Sequence, residues 1–279
     1  MKPAARQPMR YSLVVRFGTM MIAWLSLLAW HQYAAALDCS AIAAYLAALT
    51  LLLVMSGSEY AYARRRAFLN EYLFPGSWLF HLLDGRLAIL VRELLKSALL
   101  ALVLLIGSLL LEPRQWSLLL ADAVVLSLIL PRFMAGFGDV VRDEYRYVLA
   151  RRWAIWISSL LLWFESLLVM LFNPGTEYLG LRWQEVISYG TATPGLACPW
   201  LGETAHAVGL LDVLGIWAAQ NASREVQDPA QLVMIGLGWC VALGLAFAFA
   251  WAYSQVIVGT LTRPWASWRN MPRAPRAGD

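Results

Sequence analysis

The run LVMIGLGWCVALGLAFAFAWAYSQVI, from Leu232 to Ile257, contains no charged side chain. An apolar stretch of that length is long enough to cross a bilayer as a helix. Just before it lies Asn173 to Asp228, the longest segment that cannot be a membrane span. Before that again the chain alternates apolar runs with short charged connectors. Of the 279 residues, 60% are hydrophobic and only 14% charged, with a mean hydropathy of +0.59. Soluble domains carry about 25% charged residues, so the composition places the chain in lipid. Backbone amides have no water to bond there, which makes α-helices the expected spans. The alternating pattern of a transmembrane β-barrel is absent.

The expected fold is therefore an all-α, polytopic integral membrane protein with six transmembrane helices and amphipathic surface helices. The spans fall at about 11–37, 40–57, 87–111, 115–133, 153–172 and 232–257. Connectors at 58–86 and 134–152 and the tail 263–279 face one side. The loop 173–228 faces the other. The first span, with its basic leader, imitates a signal peptide, but its apolar run is too long and another span follows at once. It reads as an uncleaved anchor.

Orientation follows from the cations. Of the 22 Lys and Arg residues, 19 lie on the side shared by both termini; only Arg114, Arg182 and Arg224 lie opposite. This asymmetry puts both termini in the cytoplasm, with a bacterial inner membrane as the expected location. The net charge of +4 faces lipid headgroups rather than nucleic acid, because no basic stretch is interleaved with stacking aromatics outside the membrane flanks.

Within the connectors, 64–85 is amphipathic, interrupted at Pro75-Gly76, and suits the headgroup layer. Asp84 is a candidate N-cap for the third span. Arg86, Glu93 and Lys96 share one helical stripe there, facing water or a partner. Asp139–Arg142 and Asp143–Arg146 have spacings that suit a surface helix. In the loop, 199–220 reads as an amphipathic helix that turns Leu201, Ala205, Val208, Leu211 and Trp217 toward lipid or the bundle.

Three ionisable groups stand inside spans. Asp122 and Glu165 lie about 12 Å, and His31 about 10 Å, below the outer boundary at 1.5 Å per residue. Such groups are costly in lipid and are candidates for an ion or proton pathway. The alternative is that each acid is neutral or hydrogen-bonded to a serine, such as Ser127 or Ser166, and joins helices.

Gly236, Cys240, Gly244, Ala248 and Ala252 recur every four residues, a ridge of small side chains suited to close helix packing inside the chain or with another subunit. Glu203 and His206, one helical turn apart with Cys198 and Asp212 nearby, are weak metal candidates that lack a third ligand at a standard spacing. Cys39 and Cys198 fall on the same outer side and could form a disulfide. Nucleophile-elbow, phosphate-loop, dinucleotide-loop and CxxC patterns are missing, so neither a cofactor nor a catalytic residue is expected.

Three functions fit these residues. The first is a non-catalytic subunit or scaffold of an inner-membrane complex, of secretion or conjugation type, associating with other membrane subunits or with itself. The second is a proton- or cation-coupled transporter or channel using the buried acids. The third is a membrane enzyme with its site in the outer loop.

Overall fold

A computed structural model describes residues 13–72, 86–137, 143–172, 177–188, 195–221 and 229–261, together with Ser77 and Val141. Every described element is helical: α1 (Leu13–Tyr33), α2 (Cys39–Tyr72), α3 (Arg86–Leu110), α4 (Pro113–Gly136), α5 (Asp143–Phe172), α6 (Trp183–Ser188), α7 (Pro199–Asn221) and α8 (Pro229–Leu261). The Pro75-Gly76 interruption, the Asp84 cap, the side chains of Arg86 and Asp143, the Asp139–Arg142 spacing and the tail 263–279 lie outside the described residues.

Four helical stretches are long and apolar enough to cross a membrane: Cys39–Leu69, Pro113–Gly136, Tyr145–Phe172 and Pro229–Leu261. That is fewer than the six expected. α3 carries Arg92, Glu93 and Lys96 in its first half and turns Ala101, Leu104, Leu105 and Ile106 into the bundle.

Two helices run past their expected limits. α2 continues beyond Gly57, through the arginine triplet, to Tyr72, because charge ends a span without ending a helix; no proline stands in the way before Pro75. Likewise 143–152 is no separate surface helix but the start of α5. Arg151 is thereby carried inside the bundle.

Polar residues set the turns at the opposite end. The Ser40 hydroxyl and the Ala41 amide (3.3 Å) both donate to Asp38 at the start of α2. These bonds, the Ser40 one foremost, hold the Asp38 carboxyl below the usual carboxylate range. Glu112 donates its amide to Gln115 Oε1 at 2.8 Å, and Pro113 opens α4, where a missing N–H costs nothing.

The second half of α8 is the axis of the bundle. Ala250 to Gly259 are all buried, and α1, α2, α3, α4 and α5 each touch this helix. Its first half belongs to a small cap. There Trp217, fully buried, donates to the Leu181 carbonyl at 2.9 Å. Asn221 accepts from the Gly180 amide at 3.1 Å, and Gly180 takes a positive φ of 83° that suits glycine. Met234, Ile235 and Trp239 of α8 pack on this cluster. α7 is thus held by bundle and cap together: Leu201, Ala205 and Trp217 are buried, whereas Leu211 is exposed.

A disulfide between Cys39 and Cys198, Cα atoms 5.0 Å apart, ties the start of α7 to the start of α2. Beside it the Ala197 amide donates to the Ala35 carbonyl at 3.3 Å.

Glycine decides how closely α7 meets α8. A Cβ on Gly215 would fall 2.5 Å from the Ala242 Cβ, and one on Gly238 would fall 2.8 Å from the Ala218 Cβ and 2.9 Å from the Leu214 oxygen. The ridge expected from the sequence lies elsewhere over much of its length. Gly236, Cys240 and Gly244 are exposed, and a Cβ on either glycine would meet nothing within 4 Å. Ala248 is half-buried, and only Ala252 of that ridge is enclosed. We expect Gly238→Val to cost about 1–3 kcal/mol through overpacking, and Gly236→Val to leave the isolated chain's thermal midpoint nearly unchanged. Equal losses in the two variants would contradict this packing.

Candidate functional site

Near the arginine-rich ends of the helices, an ion pair is locked between α2 and α5. Glu59 is 1% exposed and Arg151 3%. One Arg151 Nη donates to the Glu59 carboxylate, and the other donates to Ser56 Oγ at 3.0 Å. Burying two charges is tolerable only when they are paired and hydrogen-bonded. Gln255, equally enclosed, comes from α8 to the same place. Glu59 Oε1 and Arg151 Nε make no hydrogen bond among the described residues.

The next residue, Arg152, borders this site and a second, larger one. Its guanidinium lies 4.3 Å from the Trp251 ring centroid and 4.8 Å from that of Tyr60, within cation–π range. It closes one end of a cleft of about 510 Å³ between α2 and α3. Arg64, Arg65 and Phe68 line the α2 wall; Arg92, Glu93 and Lys96 line the α3 wall. Glu93 is 3% exposed and accepts from Arg92 at 3.0 Å and Lys96 at 3.4 Å. It can lie this close to α2 because Gly57 has no side chain: a Cβ there would come 2.9 Å from Glu93 Oε2. The Glu93–Lys96 part of the expected polar stripe therefore faces α2.

The three acid and histidine candidates are not joined to one another by any hydrogen bond or ion pair among the described residues. Asp122 accepts from Ser158 Oγ at 2.8 Å, and Ser158 bonds Ser254 on α8 at 2.8 Å. The sequence pointed to Ser127 or Ser166 as serine partners, but those hydroxyls donate to the carbonyls of Val124 and Leu162 in their own helices. His31 Nδ1 lies 2.8 Å from the Ser108 carbonyl, where only a protonated nitrogen can donate, and its ring stands 5.4 Å from that of Trp116.

Glu165 lies within electrostatic range of Asp122 without bonding to it. It lines a small cavity with Gln115, Ser166 and Phe249. Those three residues also border a larger one, of about 220 Å³, into which Glu112 and Asp212 open. Glu112 and Asp212 thus share one cavity, and Glu165 lines the neighbouring one. Position along each helix was readable from the sequence; helix rotation was not, and His31 turns to the Ser108 carbonyl and the Trp116 ring instead of to the acids.

Glu203 and His206 are exposed on α7. No group of three His, Cys, Asp or Glu residues able to hold a metal occurs among the described residues, and Cys198 is engaged in its disulfide.

The buried ion pair and the basic cleft escaped sequence reasoning because their members come from α2, α3 and α5. Glu59 and Arg151 are separated by 92 positions. One signal was available: Glu59 is an acid within a run otherwise turning basic, where a buried partner is the physical alternative to exposure.

No protein family, curated protein or solved structure matches the chain.

Proposed function

We propose that the chain is a non-catalytic subunit or scaffold of a larger complex in a bacterial inner membrane, crossing it six times with both termini in the cytoplasm. α1, with 21 residues, and α3, with 25, complete the six; at 1.5 Å per residue they measure about 31 and 37 Å, against a hydrocarbon core of about 30 Å. They lie in one bundle with the other four apolar stretches, and Trp30 of α1 donates to the Leu105 carbonyl of α3 at 3.0 Å. The sidedness rests on the distribution of Lys and Arg.

One observation carries the subunit reading. The outer half of α8 leaves Leu232, Val233, Gly236, Leu237, Cys240 and Gly244 uncovered by the chain. In lipid, association depends on close packing, and small residues allow it. Extraction in mild detergent should bring down stoichiometric partners or a second copy, and Gly236→Leu with Gly244→Leu should release them without unfolding the chain. A lone monomer that moves a solute across vesicles would refute the proposal.

Glu112 and Asp212 open into one cavity and Glu165 lines the smaller one beside it; with Asp122 between α4 and α5, these acids favour cation or proton transport as a second reading. Its test is Asp122→Asn. An amide oxygen can still accept from Ser158, so the thermal midpoint should correspond to a change below about 1 kcal/mol. Coupled flux in proteoliposomes should vanish if transport is the function. Wild-type flux in this variant would dismiss the pathway.

A further inference from the structure

The cleft between α2 and α3 gathers five cations around one carboxylate. Glu93 is already engaged by Arg92 and Lys96. Arg64, Arg65 and Arg152 make no ion pair among the described residues, and Arg152 is held in place by the rings of Tyr60 and Trp251. Like charges so gathered repel one another, and an anion seated among them relieves that repulsion. Guanidinium groups present paired donors that match phosphate oxygens. At about 510 Å³ the cleft has the size of a small-ligand site.

The rim supplies the second half of the argument. Leu95 follows Arg92 by three residues and Leu99 follows Lys96 by three, so each leucine continues the face of its cation toward the apolar half of α3. Both are about two-thirds exposed, and Phe68 stands exposed on the α2 side. A cationic pocket that opens onto an uncovered apolar helix face is complementary to an amphiphile with an anionic head.

We propose that this cleft binds the phosphate of an anionic phospholipid headgroup, with the acyl chains lying along Leu95 and Leu99. A soluble phosphate ester shares the head chemistry but makes no use of the leucine face. The inference requires the chain to be in a bilayer and is independent of its being a complex subunit. Absence of protein partners would undo the latter and leave lipid binding untouched.

The test is a titration of the full-length, delipidated protein in detergent, followed by native mass spectrometry. Phosphatidylglycerol should bind at one lipid per chain and phosphatidylcholine much more weakly. Arg64→Gln with Arg65→Gln should weaken phosphatidylglycerol binding about thirtyfold, the effect of two interfacial cations. Lys96→Gln, a milder change, should weaken it about fivefold and serves if the double variant fails to fold. Glycerol phosphate and inorganic phosphate at millimolar concentration should not displace the lipid. Displacement by glycerol phosphate at concentrations equal to the lipid's would overturn the lipid assignment in favour of a soluble phosphate ester. Unchanged phosphatidylglycerol affinity in both variants, or equal affinity for phosphatidylcholine, would overturn the site.

Discussion

Glu59→Leu and Arg151→Met, made separately, should each destabilise the folded bundle by about 3–5 kcal/mol, the usual cost of leaving one buried charge without its partner. The two side chains are almost wholly enclosed, so neither survivor can reach water without opening the helices. The double variant should recover to within about 1 kcal/mol of the parent, since replacing a buried pair with apolar groups removes attraction and desolvation together. Arg92→Met supplies the contrast. Its guanidinium also pairs with a buried acid, but the side chain is 71% exposed, and solvent limits such a pair to about 0.2–1 kcal/mol. Unfolding titrations of the four variants give the coupling energy directly. Single variants as stable as the parent would show that the pair is solvated.

Loss of the Cys39–Cys198 bond should have the next largest effect, about 2–4 kcal/mol. The bond links positions 159 apart, which in a soluble protein would constrain a large part of the unfolded chain. In a membrane the spans remain inserted when tertiary packing is lost, so less freedom is released and the upper limit is not approached. Cys39→Ser, Cys198→Ser and the pair should lower the unfolding midpoint equally. Reductant should do the same to the parent and nothing further to the variants. Denatured without reductant, the parent should take one maleimide, on Cys240, and three after reduction. Proteolysis should then begin in the cap around Trp217, which the bond secures to the bundle. A midpoint indifferent to reductant would refute this.

How far the sequence could be read depended on the range of the interaction concerned. Composition and runs such as Leu232–Ile257 are local properties, and they specify apolar helices wherever those helices end up. The position of Asp122 along its helix was equally readable, from a count of residues. Its partner was not: a helix can place a residue at a given depth while facing any direction, and Ser158 became the neighbour only when α4, α5 and α8 were rotated together. The same applies to Gly236, Cys240 and Gly244. Their fourfold spacing is visible in the chain, but the contact with α7 uses Gly238 and Ala242, on the opposite face of the helix. The end of α2 was misjudged for a different reason. Glu59 and the arginines signal departure from hydrocarbon, whereas a helix stops only when its backbone hydrogen bonding is interrupted.

The enclosure of Ala250–Gly259 has a consequence for biogenesis. That segment is made after α1 to α5, the helices that pack around α8. Until it arrives, the serine hydroxyl at 158 lacks its partner from residue 254, and Glu59 and Arg151 have no Gln255 beside them. The nascent bundle must therefore wait, loosely assembled and with polar side chains unprotected, for its closing piece. A chain released just before Pro229 should be an early target for membrane quality-control proteases, although α1 to α5 have already been made.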